Sequence, residues 1–153
     1  MNVDVVTEIV IARPVVEVSA YAADPSKAPD WYVNIDSVEW KTPPPAEVGS
    51  LVEFVARFLG RTLRYTYELV ELVPGRRLVM RTHQGPFPME TTYTWEPAAN
   101  ASSPDESTRM TLRNRGEPAG FSKLMVPIMK PAMRRANRKD LAALKAILET
   151  RRR

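Results

Sequence analysis

The sequence predicts an α+β fold in which a curved antiparallel sheet of about seven strands wraps around one long C-terminal helix. Three observations carry this. A β-branched first segment is followed by two short helical patterns. Six alternating segments then succeed one another, separated by turn residues. Beyond residue 120 the alternation gives way to apolar residues at helical spacing. A chain of 153 residues suits one core, so residues 1–150 are expected to form a single domain and 151–153 a basic tail.

In the opening segment Val3, Val5, Ile9 and Ile11 share one phase, with Asp4 and Glu8 on the other, which predicts a half-buried strand. Pro14 stands where helices begin, and Val15, Val18, Tyr21 and Ala22 recur at helical spacing. Asp24-Pro25-Ser26 places a capping carboxylate before a proline, so a second short helix starts there and ends at Trp31-Tyr32. Strands follow at 37–41, 51–59, 61–72, 77–83, 89–96 and 108–115. Gly60, Pro74-Gly75 and Gln84-Gly85-Pro86 break them with turn chemistry, which predicts successive hairpins. Pro43-Pro44-Pro45 and residues 98–107 read as loops.

From residue 121 to 150, Leu124, Met125, Ile128, Met129, Ala132, Met133, Ala136, Leu141, Leu144 and Leu148 fall on one side of a helix. At 1.5 Å per residue such a helix extends about 40–45 Å, enough to cross the sheet. Pro127 and Pro131 each remove a backbone hydrogen bond, which predicts a kink or break near them.

Composition excludes several classes. No cysteine is present and His83 is the sole histidine, so disulfides, thiolate metal sites and imidazole clusters are ruled out, and no metal or cofactor is expected. No apolar run approaches the ~20 residues of a membrane span, and the N-terminus lacks the pattern of a secretory signal, so a cytoplasmic protein is expected. Residues 1–120 carry 12 basic and 16 acidic side chains, whereas residues 121–153 carry 10 basic and 2 acidic. Such a basic end attracts phosphates or anionic lipid, but a solvated helix face explains it as well, so nucleic acid is not an expected partner and membrane contact extends no further than the surface. The sequence leaves the oligomeric state open, a homodimer included.

The phase of each strand selects the side chains that face the helix. Val52, Phe54, Ala56 and Phe58 share one phase, as do Leu63, Tyr65, Tyr67 and Leu69. Leu78, Met80 and Thr82 follow, then Met89, Thr91, Tyr93 and Trp95, then Met110 and Leu112. Together with Met125, Met129, Met133 and Asn137 of the helix they predict a pliable, Met-rich and aromatic cavity. Tyr65, Tyr67, Thr91, Tyr93 and Asn137 would supply the few polar groups that orient a hydrophobic or amphipathic small molecule. His83 lies in the opposite phase and reads as a surface or rim residue; Asp140, one residue before Leu141, can face inward, but a solvated position or a salt bridge is the first reading. Neither a Ser-His-Asp nor a Cys-His arrangement can be assembled, and no phosphate-binding glycine loop exists.

The element order, with Ala23-Asp24-Pro25-Ser26, Pro29-Asp30-Trp31-Tyr32-Val33-Asn34-Ile35, Val48-Gly49-Ser50, Glu71-Leu72-Val73-Pro74-Gly75-Arg76-Arg77-Leu78 and Thr92-Tyr93-Thr94-Trp95-Glu96-Pro97, resembles the START-like helix-grip superfamily, SRPBCC. Within it these segments are similar to the bacterial branch of polyketide cyclases/dehydrases and lipid-transport proteins. The resemblance implies a ligand cavity between sheet and helix, with Trp31 and Tyr32 near its mouth. It ranks ligand binding or transport first, a polyketide cyclase/dehydratase-type enzyme on a bulky apolar substrate second, and a ribosome- or membrane-associated interaction protein third. A cavity empty of titratable groups favours the first, a buried Asp or Arg beside the tyrosines the second, and a continuous basic face the third.

Overall fold

The computed structural model describes residues 3–58, 60–84, 88–98, 106–116 and 126–150, the side chains of Phe58, Gln84 and Val126 excepted. Seven strands form one antiparallel sheet: β1 (Val3–Ile11), β2 (Ile35–Trp40), β3 (Leu51–Phe58), β4 (Arg61–Val73), β5 (Arg77–Gln84), β6 (Met89–Pro97) and β7 (Thr108–Gly116). Their order is β1-β7-β6-β5-β4-β3-β2, so six strands run as a meander and β1 closes onto the last of them. Helix α1 (Val15–Ala22), a 3₁₀ turn (Pro25–Lys27) and helix α2 (Ala28–Trp31) bridge β1 to β2, at opposite edges of the sheet. Helix α3 (Val126–Thr150) packs on the sheet and against α2. This is the helix-grip architecture that the sequence predicts.

Local chemistry sets these boundaries. The Asp24 carboxylate accepts from the Ser26 N–H at 3.0 Å and caps the turn that leads into α2. Gly75 adopts φ +75° in the β4–β5 turn, where an L side chain would be strained. In β1, Val3, Val5, Thr7 and Ile11 are buried while Asp4, Val6, Glu8 and Val10 are exposed, as period-two alternation requires. Outward-facing charges pair across strands: Arg113 bonds both carboxylate oxygens of Asp4, and Glu90 receives Arg81 and Arg115.

The helix differs from expectation in two respects. It runs unbroken through Pro131, which is exposed, and its described span also contains Pro127. Ile128, assigned to the inner side, is 52% exposed. The predicted helical residues 121–125, and with them Met125, lie outside the described residues, as do the proposed turn at Gly85-Pro86 and the Arg151–Arg153 tail.

The interior divides into two apolar clusters. The larger joins Ile11, Val18, Trp31, Leu69, Leu78, Trp95, Met110 and Leu112 to Leu141, Leu144 and Leu148 from the C-terminal half of α3. A smaller one gathers Val3, Val5, Leu63, Tyr65, Met129 and Met133 around its N-terminal half.

Candidate functional site

A cavity of about 150 Å³ opens along the seam between these clusters, under α3. Each wall comes from an identifiable element. The sheet contributes Phe54 and Ala56 (β3), Leu63, Tyr65 and Tyr67 (β4), Met80 (β5), Met89, Thr91 and Tyr93 (β6) and Asn114 (β7). These are the inward phases of their strands, so the pleat that buries the core also lines the cavity. The α2–β2 connection adds Tyr32, Asn34 and Ile35. Helix α3 presents Met129, Met133, Ala136, Asn137 and Asp140, at intervals of three or four along one face.

The polar groups form two constellations. In the first, Thr91 and Asn114 are cross-strand partners, and the Thr91 hydroxyl donates to Asn114 Oδ1 at 2.6 Å. Asn114 Nδ2 donates in turn to Asn137 Oδ1 at 3.1 Å. Burial pushes the pKa of the Tyr67 hydroxyl up to about 12, with Thr91 nearby drawing it the other way. At the far end, Asn137 Nδ2 is buried with no partner among the described residues. In the second constellation the Tyr32 and Tyr93 hydroxyls meet at 2.5 Å, and the Trp31 ring makes tilted contacts with both rings at 4.2 and 5.8 Å between centroids. Asp140, only 3% exposed, accepts from the Val33 N–H at 2.8 Å through Oδ1.

Burial dominates the electrostatics. Loss of solvation pushes the Asp140 carboxyl up to about 7, against the opposing pull of the Val33 N–H. Tyr32 and Tyr93 are raised far above the phenol range, first by burial and further by the charge of Asp140. At neutral pH the site thus holds two protonated phenols beside a carboxyl populated in both states. Among the described residues that line the cavity Arg57 is the sole basic side chain; it is 74% exposed and paired with Asp36 at 2.9 Å, so of these residues only Asp140 brings a charge to the interior. Among the described residues no three His, Cys, Asp or Glu side chains converge as metal ligands do.

Of the residues singled out by sequence, Tyr32, Phe54, Tyr65, Tyr67, Met80, Met89, Thr91, Tyr93, Met129, Met133 and Asn137 line the cavity. Trp31 and Met110 do not. Trp31 lies behind Tyr32 with 1% exposure, and Met110 is fully buried in the larger cluster. The Phe58 side chain and Met125 fall outside the described residues. His83 is exposed, 3.8 Å from Glu68. Asp140 overturns its reading as a solvated or salt-bridged residue. Asn114, which sequence reasoning passed over, continues the phase of Met110 and Leu112 and was accessible from that alternation.

The family described as "Polyketide cyclase / dehydrase and lipid transport" matches residues 2–149. Among solved structures, a START superfamily protein from Mycobacterium smegmatis superposes with a TM-score of 0.79 at 14% identity, over 95% of this chain and 97% of its own. The ZhuI aromatase/cyclase of a Streptomyces species gives 0.79 at 17% identity over 100% and 97%. A protein from Thermus thermophilus gives 0.79 at 21% over 97% and 99%. At such identities the likeness is one of fold. A search of curated proteins returns no match.

Proposed function

The chain belongs to the polyketide cyclase/dehydrase and lipid transport family, and from that premise we propose that its cavity binds a hydrophobic small molecule, for transport or sequestration. The observation that carries this is the lining itself: an interior of aromatic rings and methionine side chains in which a few polar groups converge. Methionine repacks at low cost, so the walls adapt to ligands of differing outline. Binding is tested by titrating small aromatic hydrocarbons while following tryptophan emission and thermal unfolding, since the Trp31 ring lies in tilted contact with the cavity tyrosine Tyr32, 4.2 Å between centroids. At about 100 times the dissociation constant the folded state gains ~2.7 kcal/mol. Unchanged emission and unfolding across such a panel would defeat the proposal.

One observation favours a second reading, an enzyme of the cyclase/dehydratase type. Asp140 sits beside two tyrosines with its pKa pushed up to about 7, which suits a group that takes a proton at neutral pH. Its carboxylate would abstract a proton α to a ligand carbonyl, and a tyrosine hydroxyl would donate to the resulting enolate oxygen. Deuterium exchange into the α-position of acetophenone tests this. The exchange rate should rise as pH passes through the Asp140 pKa of about 7 and vanish in Asp140→Asn.

A further inference from the structure

Resting on the reading of the cavity as a ligand site, we infer that its ligand is a neutral, compact aromatic molecule of one or two fused rings bearing a carbonyl oxygen, which accepts a hydrogen bond from Asn137. Three observations converge on this class.

The first is an orphaned donor. Thr91 has a single hydroxyl hydrogen, and it is directed to Asn114 Oδ1. That choice orients the Asn114 amide, whose Nδ2 then occupies Asn137 Oδ1. The relay therefore has a direction, running from the sheet to the helix, and it delivers an unused N–H pair at Asn137 Nδ2. Asn137 is 4% exposed and lines the cavity. A buried donor left unpaired is costly, and a ligand oxygen at that point removes the cost.

The second observation is charge. Asp140 lies one helical turn beyond Asn137 on the same face, about 4.5 Å along the axis. Among the described residues the interior offers no compensating cation, because Arg57 is exposed and engaged by Asp36. A fatty acid or other carboxylate would bring an unpaired charge into a desolvated space, which favours an uncharged acceptor. A ketone, aldehyde or amide oxygen meets the condition.

The third is size. A cavity of about 150 Å³ matches the volume known to accept a single benzene ring, and flexible Met89, Met129 and Met133 side chains on its wall allow a second fused ring. A long acyl chain does not fit that volume.

Indane and 1-indanone differ by one carbonyl oxygen and so isolate the interaction. Calorimetry on the full-length protein should give roughly tenfold tighter binding of 1-indanone, as expected when an unpaired buried donor is satisfied. In Asn137→Leu the preference should collapse to within about twofold while indane still binds. The wild-type protein supplies an independent readout: the infrared carbonyl stretch of bound 1-indanone should fall below its value in hexane. Equal binding of the two ligands by the wild type would overturn the inference while leaving the cavity a site for hydrophobic molecules. A preference for 1-indanol over the ketone would place an acceptor, not an N–H, at Asn137 and would overturn it too, as would binding of indane-1-carboxylate as tight as that of the ketone. Binding of none of these would overturn the inference together with the reading on which it rests.

Discussion

Replacing Asp140 with asparagine should stabilise the protein at alkaline pH and have little effect in acid. The carboxyl is buried, with its folded pKa pushed up to about 7 from 3.8. An acid whose folded pKa lies above its unfolded value favours folding when protonated. The contribution is therefore intact below the unfolded pKa, is lost as pH climbs toward the folded one, and is level above that. That displacement corresponds to roughly 4 kcal/mol in full, of which about 2.5 kcal/mol develops between about pH 5 and 8. Asparagine retains an Oδ1 to accept from the Val33 N–H, now at 2.8 Å, so the local geometry survives the change. Urea unfolding of both proteins across this range gives the comparison directly. Groups common to both, including Asp4, Glu90 and Glu149 with their lowered pKa values, cancel in the difference. The advantage of Asp140→Asn should grow with pH by about 2.5 kcal/mol. A difference that is flat between about pH 5 and 8, or a variant less stable at the alkaline end, would refute the assignment of Asp140 as a desolvated carboxyl.

Other outcomes follow from the same geometry. Leu144→Ala, at a fully buried position in the larger cluster, should cost about 2–5 kcal/mol in urea unfolding. Tyr93→Phe keeps its ring contacts but strips the Tyr32 hydroxyl of its partner, so a loss of about 1–2 kcal/mol is expected by the same measurement. Pro131 denies the helix one backbone bond beside the smaller cluster, so hydrogen exchange followed by mass spectrometry should show residues 126–133 exchanging faster than 136–148, with the gap narrowing when 1-indanone is bound. Arg135, Arg138 and Lys139 are exposed on α3 with Arg134 half-buried beside them, and as a solvated face they should bind RNA only weakly. Filter-binding affinity should fall steeply between about 50 and 200 mM salt.

Strands such as β1 and β7 were legible from their period-two alternation, and β4 and β6 from the prolines at their ends; β3 begins at Leu51 and β5 at Arg77, as the sequence reading places them. Phase told which face a side chain joins, but not where along the strand the cavity lies. Met110 and Asn114 share one face of β7, yet Met110 belongs to the larger cluster and Asn114 to the cavity, a distinction set by what α3 lays across each point. Trp31 and Tyr32 are adjacent in sequence, and only the contact with Tyr93 decides that one backs the other. Asp140 was hardest to place. Its burial depends on the α2–β2 connection, whose Val33 stands 107 positions earlier, and helical periodicity carries no trace of such a contact.

The separation of the interior into two clusters divides the tasks of the fold between regions that mutation can change independently. The leucines at 141, 144 and 148 hold α3 to the sheet without lining the cavity, whereas Met129, Met133 and Met89 border it. Sites about 10 Å apart with no shared partner contribute additively to stability, and among the described residues Tyr67 alone packs on both clusters, so coupling between them runs chiefly through that ring. Lineages of this fold can therefore resize or repolarise the methionine wall, and so exchange one ligand for another, while the leucine anchor preserves the folded state. The same partition gives a protein engineer a place to build new recognition and a place to leave alone.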